Sequence, residues 1–207
     1  LAEPEYFVKS NDSHGTEAMI CICIPEIIAK KIKVPGGEKV NDLHITLIHF
    51  KKLNEIFNFN SFIILESILE LVRDLKPLDI SLEGTGCFTN NDDKIPFYAK
   101  VISTDLINFR KKLATKLDSK NIQYSKDFDF TPHVTLKYLD KNDAPYNIEI
   151  SEKFTANEVN IIIGDKEVII PVTIGTNLLM KAVIGTPMRN DGSVDYDKVP
   201  SGASIWV

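Results

Sequence analysis

Two long segments of this 207-residue chain have the hydrophobic spacing of amphipathic helices. Apolar residues recur every three or four positions over 61–75 and again over 105–121, which places them on one helical face. A shorter segment, 26–33, repeats the pattern on a smaller scale. We therefore predict three helices that each bury one face.

Other segments alternate apolar and polar residues or form short apolar runs, as β-strands do. Strands are predicted at 18–25, 43–50, 78–88, 97–102, 133–139, 157–163 and 166–174. Because these strands interleave with the helices along the chain, we predict an α+β fold in which helices pack on antiparallel sheets.

Two polar segments flank this pattern. Residues 1–17 are predicted to form an N-terminal arm or loop, and residues 175–207 a C-terminal extension of unassigned role, either a hairpin, a packed extension or a linker. The segment between them, 18–174, is predicted to be the folded domain. Its longest apolar runs are too short to span a bilayer, so no membrane partner is expected.

Charge and cysteine usage narrow the classes of function. The net charge of -5 argues against extensive binding to duplex DNA, which needs a basic surface, whereas a small nucleotide or a short RNA end remains compatible. The three cysteines contain no CxxC pair and favour buried, reduced thiols in a cytoplasmic protein. The sequence offers no good set of metal ligands, so no cofactor is expected, and it leaves the oligomeric state open.

Two short strings carry the chemistry that the sequence suggests. His44-Ile45-Thr46 and His133-Val134-Thr135 each lie in a predicted strand, so the histidine and the threonine share a face and the middle residue turns to the core. Histidine exchanges protons near neutral pH, and a threonine hydroxyl donates hydrogen bonds to phosphate oxygens. The pair of strings is typical of a site for phosphate chemistry.

The paired strings resemble those of the two-histidine (2H) phosphoesterase superfamily. AMICICIPEIIAKKI is similar to the first unit of that family, GTGCFTNNDDKIPFYAKV to its central hairpin and TPHVTLKYL to its second motif. The resemblance covers about residues 18–174. It implies a bilobal fold in which two antiparallel sheets form a central cleft and the helices lie outside.

The resemblance also implies an activity. Family members include RNA 2′,3′-cyclic phosphodiesterases and enzymes that open 2′-5′ or cyclic oligonucleotides. The expectation for this chain is a metal-independent phosphodiesterase in which His44 and His133 exchange protons while Thr46 and Thr135 bind the phosphate. The substrate would be a nucleotide or a short RNA end.

Three further residues are candidates for substrate binding. Regular alternation puts Lys137 on the face of His133, within reach of the phosphate, although a solvated lysine is the plain alternative. Phe88 and Tyr98 flank the predicted hairpin and are expected to stack on a nucleobase, with core packing as the alternative.

Alternation also assigns three residues away from the site. The string His14-Gly15-Thr16 lies in the polar arm and is not expected to take part. His49 has odd spacing from His44 and is expected to face away from Thr46, and Tyr138 is expected in the core.

Two other classes of function stay open at this point. The chain could be a non-catalytic nucleotide- or RNA-binding module that keeps the fold. It could also be a domain of a larger protein, structural or viral, with the tail as a connector.

Overall fold

The computed structural model describes residues 7–9, 18–50, 60–73, 75–88, 94–126, 129–141, 143–163 and 166–172. The α-helices within these residues are α1 (Glu26–Ile32), α2 (Asn60–Val72) and α3 (Thr104–Ser119), and Val40–Asp42 form a short 3₁₀ helix. The strands are β1 (Phe7–Lys9), β2 (Ala18–Cys23), β3 (His44–Phe50), β4 (Leu78–Cys87), β5 (Lys94–Ile102), β6 (His133–Asp140), β7 (Ser151–Ala156), β8 (Glu158–Ile163) and β9 (Lys166–Pro171). The predicted extension 175–207 and most of the predicted arm lie outside the described residues.

The three predicted helices and the seven predicted strands are confirmed, with ends displaced by a few residues. Strands β1 and β7 were not predicted from the sequence. β1 is a three-residue strand within the predicted arm, and β7 (SEKFTA) alternates exposed and half-buried residues at the edge of the sheet. Such a strand has no apolar run to reveal it, because one of its faces is solvated.

The strands are antiparallel neighbours in the order β1-β9-β8-β2-β3-β6-β5-β4-β7. The motif strands β3 and β6 are adjacent at the centre, where the register joins them through one pair, Ile45 and Val134. The strand that precedes each motif strand in the chain, β2 or β5, lies on its outer side. The expected α+β fold is confirmed, and its two sheets are continuous through β3 and β6.

The helices and one face of the sheet enclose the hydrophobic core. α3 packs on β3 and β4, and α2 packs on α3. Ile45 and Val134, the middle residues of the two strings, are both 0% exposed in this core. Their burial confirms the inward direction predicted from alternation. No helix in the described residues is long and apolar enough to cross a membrane.

β3 contains a bulge directly after the first string. In the ladder with β2, Thr46 and Ile48 pair with consecutive residues, so Leu47 has no partner. The extra residue reverses the alternation beyond it and turns His49 to the face that Thr46 occupies. The prediction that His49 faces away from Thr46 is therefore wrong, because it assumed an uninterrupted strand.

β6 contains a bulge at the equivalent position. Thr135 and Lys137 pair with consecutive residues of β5, which leaves Leu136 without a partner. The Glu38 backbone N–H, in the turn after α1, donates to the Leu136 carbonyl at 2.8 Å. The turn therefore satisfies the carbonyl that the ladder leaves free.

That turn needs a glycine where it approaches β6. A Cβ added to Gly37 would lie 2.3 Å from the Leu136 carbonyl oxygen and 2.7 Å from Val34 Cγ2. The Leu136 carbonyl is fixed by the strand backbone and by its hydrogen bond with Glu38, so it cannot move aside easily and only glycine fits. Gly84 provides a contrast, because its φ of +70° requires glycine while no atom lies within 4 Å of an added Cβ.

We predict that Gly37→Ala lowers the free energy of unfolding by about 2–3 kcal/mol, because the added methyl group collides with fixed backbone. Gly84→Ala, which adds only left-handed strain, should cost about 1 kcal/mol. Urea unfolding of both variants measures the difference. Equal losses would mean that the turn yields to the methyl group.

Candidate active site

The register of β3 and β6 brings the two strings together. Because their middle residues face each other across an antiparallel ladder, His44 faces Thr135 and Thr46 faces His133. Residues that face each other point to the same side of a sheet, so all four side chains lie on the face opposite the core. The two histidines are therefore diagonal neighbours, which in a regular antiparallel ladder lie about 7–8 Å apart. A separation of this size leaves room for one phosphate between them.

Both histidines make the same hydrogen bond to the backbone carbonyl two residues earlier in the chain. His44 Nδ1 lies 2.7 Å from the Asp42 carbonyl oxygen, and His133 Nδ1 lies 2.7 Å from that of Thr131. A carbonyl oxygen only accepts, so each Nδ1 carries a hydrogen and donates it. Each Nε2 is then the nitrogen that can take up or release a proton.

Aromatic rings surround His133. Its ring centroid lies 4.8 Å from that of Phe88, edge to face, and 5.3 Å from that of Tyr98. Burial lowers the pKa of His133 from 6.5, and the hydrogen bond to Thr131 opposes this effect only in part. The imidazole is therefore neutral at pH 7.

Polar side chains rather than aromatic rings lie on the side of His44. Cys23 faces it across the β2–β3 ladder, and the Cys23 thiol donates to Glu167 Oε1 at 3.6 Å. Asn160 Nδ2 donates to the same oxygen at 2.8 Å. The His44 side of the cleft thus carries a thiol, an amide and a carboxylate, whereas the His133 side is aromatic.

Both threonine hydroxyls are available to a ligand. Thr46 and Thr135 are half-buried. Neither side chain makes a hydrogen bond to another residue in the described part of the chain. Two such donors facing the same cleft suit an anion with several oxygens.

Lys137 does not lie on this face. The bulge pairs it with Phe97, which is 1% exposed on the core side, so the prediction that it shares the face of His133 is wrong. Its Nζ donates to Tyr146 Oη at 2.6 Å and to the Pro35 carbonyl at 3.2 Å. Lys137 thus ties the turn after α1 to β6, and its binding to a phosphate stays a prediction without support from the register.

Tyr138 and Lys100 are on the site face instead. The same bulge turns Tyr138 outward, where it is 52% exposed, so its predicted place in the core is wrong. Lys100 of β5 faces His133 directly across the ladder and is exposed. Lys100 is therefore the cationic side chain that the register places beside His133.

A cavity of about 540 Å³ opens beside these residues. Its lining combines the site face with the end of β3, helix α3 and the segment before β6: Thr46, Leu47, Ile48, His49, Phe88, Pro96, Arg110, Ser125, Asp129, Phe130, Thr131 and His133. An apolar wall with a few polar groups is usual for a small-molecule site. Within the described residues, no three His, Cys, Asp or Glu side chains are grouped to hold a metal ion.

The sequence profile of the 2′-5′ RNA ligase superfamily matches residues 33–164, more than half of the chain. The chain belongs to the 2′-5′ RNA ligase superfamily. The expected relation to the 2H phosphoesterases is therefore confirmed. No curated protein sequence matches the chain.

Solved structures share the fold of this superfamily member. TT0787 of Thermus thermophilus is 17% identical, with a TM-score of 0.53 over 76% of this chain and 95% of that one. A structure described as a phosphoesterase is 14% identical, with a TM-score of 0.52 over 75% and 95%. LigT of E. coli complexed with NADP+ is 13% identical, with a TM-score of 0.50 over 76% and 95%. At these identities the similarity establishes the fold.

His49, Lys100 and Arg110 are charged or titratable residues of the site that were not predicted from the sequence. His49 reaches it through a bulge that the sequence does not reveal. Lys100 could have been found, because it lies two residues after Tyr98 in a predicted strand and so shares its face. Arg110 lies on the polar side of a predicted helix, where such residues usually meet solvent. Phe88 and Tyr98 lie beside His133, and their stacking on a base stays a prediction.

We predict that His133 titrates below 6.5 and that Phe88→Ala raises its pKa toward that value, because the burial that lowers it is partly removed. NMR titration of the imidazole resonances measures both values. Phe154→Ala, which removes an aromatic ring from β7, is the control and should leave the His133 titration unchanged. An unshifted pKa in Phe88→Ala would exclude the ring as the cause.

Proposed function

We propose that this protein is a metal-independent phosphodiesterase that cleaves a nucleotide phosphodiester by acid–base catalysis with His44 and His133. The observation that carries the proposal is the shared face: two imidazoles on a diagonal, with two free hydroxyls completing the square. The substrate classes are a 2′,3′-cyclic phosphate, a 2′-5′-linked oligonucleotide and a cyclic oligonucleotide. LigT of E. coli, which has the same fold, was crystallised with NADP+, and this supports a nucleotide ligand.

The surroundings of the two histidines divide their roles. His133 is neutral at pH 7, so its Nε2 takes a proton from the attacking water. His44 enters the reaction protonated, and its Nε2–H passes a proton to the leaving oxygen as the phosphorus–oxygen bond breaks. The two rings end with exchanged protonation states, and solvent restores them. Positioned acid–base catalysis of this kind contributes about 10²–10⁴-fold.

The hydroxyls and one lysine hold the phosphate. Thr46 and Thr135 donate to its non-bridging oxygens and fix the phosphorus between the imidazoles. Lys100, which faces His133, contributes positive charge at the open side of the cleft. The exposed parts of Phe88 and Tyr98 offer rings for a nucleobase.

A cytoplasmic location completes the proposal. The three cysteines are free thiols. Cys21 is buried, and its pKa is raised by the hydrogen bond with Cys23 and by burial, so it remains a neutral thiol. Reduced thiols of this kind suit a reducing compartment.

We predict that His44→Ala and His133→Ala each lower kcat by about 10²–10⁴-fold, because each removes one proton-transfer step. Steady-state assays with a 2′,3′-cyclic nucleotide, 2′-5′ oligoadenylate and a cyclic dinucleotide measure turnover and identify the substrate class. His14→Ala removes the histidine of the third H-x-T string and is the matched control, with expected wild-type activity.

Retention of near-normal turnover by either variant would contradict the roles given to the two histidines. Binding of these nucleotides without turnover in the wild-type protein would instead favour a non-catalytic binding module.

The pH dependence of kcat/KM tests the role of His133 as the base. His133 must be unprotonated to act as the base, so the rate should fall as the pH drops through its pKa. Because burial lowers that pKa from 6.5, the acidic limb should have its midpoint below 6.5. An acidic limb with its midpoint at or above 6.5 would contradict the assignment of His133 as the base.

A further inference from the structure

The cavity beside the two strings extends well beyond the room that one phosphate needs. From Thr46 and His133 it continues along β3 to helix α3, where His49, Arg110, Ser125, Asp129 and Phe130 line it. Its volume of about 540 Å³ lies within the usual range of pockets that hold whole small molecules. The far end of the cavity therefore offers its own charged and polar side chains to a ligand.

His49 reaches the cavity through the bulge at Leu47. It is three residues beyond Thr46 on the same strand face, roughly 7–10 Å along β3. This distance is comparable to the separation of phosphates on the 3′ and 5′ oxygens of one nucleoside. The spacing fits a ligand with two phosphates on one ribose.

Arg110 is held rigidly at the same end. Its guanidinium carbon lies 5.1 Å from the centroid of the Phe130 ring and 5.8 Å from that of Tyr124, and its Nε donates to the Leu47 carbonyl at 3.3 Å. Its terminal NH₂ groups make no hydrogen bond or ion pair within the described residues. A fixed guanidinium loses little entropy when it binds an anion.

No carboxylate of the described residues neutralises this guanidinium at contact distance. Asp118 accepts hydrogen bonds from Lys126 Nζ at 2.7 Å and from Tyr124 Oη at 3.2 Å. The hydrogen bond from Lys126 is the main cause that lowers the Asp118 pKa, and the charge of Arg110 is the smallest cause. Asp129 lines the cavity but is exposed and forms no ion pair with Arg110 in the described part of the chain. The positive charge is therefore available to a ligand.

We propose that Arg110 and His49 form a second phosphate subsite, which takes the phosphate next to the scissile one in an oligonucleotide. This inference rests on the proposed function, because the first phosphate must lie between His44 and His133. The enzyme then favours a nucleotide phosphorylated on both sides of its ribose over one with a single phosphate.

Two probes that differ by one phosphate test the subsite without turnover. Calorimetric titration with adenosine 3′-monophosphate and adenosine 3′,5′-bisphosphate gives the ratio of their dissociation constants. A charge-assisted contact to the second phosphate should make the bisphosphate bind about 10- to 100-fold more tightly to the wild-type protein. In a high-salt buffer this preference should shrink, because salt screens the contact.

The variants identify the residues responsible. Arg110→Gln should reduce the preference to less than about threefold and leave the affinity for the monophosphate unchanged. Arg110→Lys keeps the charge and should retain part of the preference. His49→Gln should lower the preference for the bisphosphate while the hydrogen bond from Arg110 to the Leu47 carbonyl remains. Lys112→Gln removes an exposed charge from the same helix and should keep the wild-type ratio.

Each result decides between distinct conclusions. Equal affinities of the wild-type protein for the two probes would refute the subsite and leave the proposed phosphodiesterase intact. Equal weakening of both probes by Arg110→Gln would mean that Arg110 only supports the bulge, which also overturns the inference. Failure of both probes to bind would remove the central phosphate site and the subsite together.

Discussion

The contact of Ile45 with Val134 across the two central strands is the constraint on which the site depends. Both side chains are fully buried, so the register of β3 and β6 is fixed by the core rather than by the polar residues that flank them. A slip of one residue would send a histidine and a threonine into the core and an apolar residue into the cleft. The unpaired polar groups would then be buried at a cost of several kcal/mol, roughly 1–3 for each group. Packing of apolar side chains on one face of the sheet thus positions the histidines and threonines on the other face.

The two bulges set the limits of the site. Each follows the threonine of its string, and each reverses the direction of the side chains beyond it. Their free carbonyls are not left to solvent, since the Glu38 N–H donates to Leu136 and Arg110 Nε donates to Leu47. The turn after α1 and helix α3 are therefore each tied to a motif strand immediately next to the proposed phosphate position. A displacement of the turn or of the helix should therefore shift the site through these two hydrogen bonds.

The sequence predicts what depends on local pattern and fails where the partner strand decides. The helices, the motif strands and the inward direction of Ile45 and Val134 follow from periodicity, and all are found. A bulge depends on pairing with β2 or β5, which periodicity cannot reveal, so Lys137, Tyr138 and His49 were each assigned to the wrong face. β7 escaped detection because an edge strand with one solvated face resembles a loop in composition.

The internal symmetry of the fold makes the two histidines equal in backbone but not in environment. Each ring donates from Nδ1 to the carbonyl two residues earlier, so neither the tautomer nor this hydrogen bond distinguishes them. What differs is the neighbouring strand: β5 and the end of β4 bring aromatic rings to His133, whereas β2 and β9 bring a thiol and a carboxylate to the side of His44. Aromatic burial disfavours the charged imidazolium of His133. The outer strands rather than the motif therefore make the surroundings of the two rings different, and the proposed division into base and acid depends on this difference.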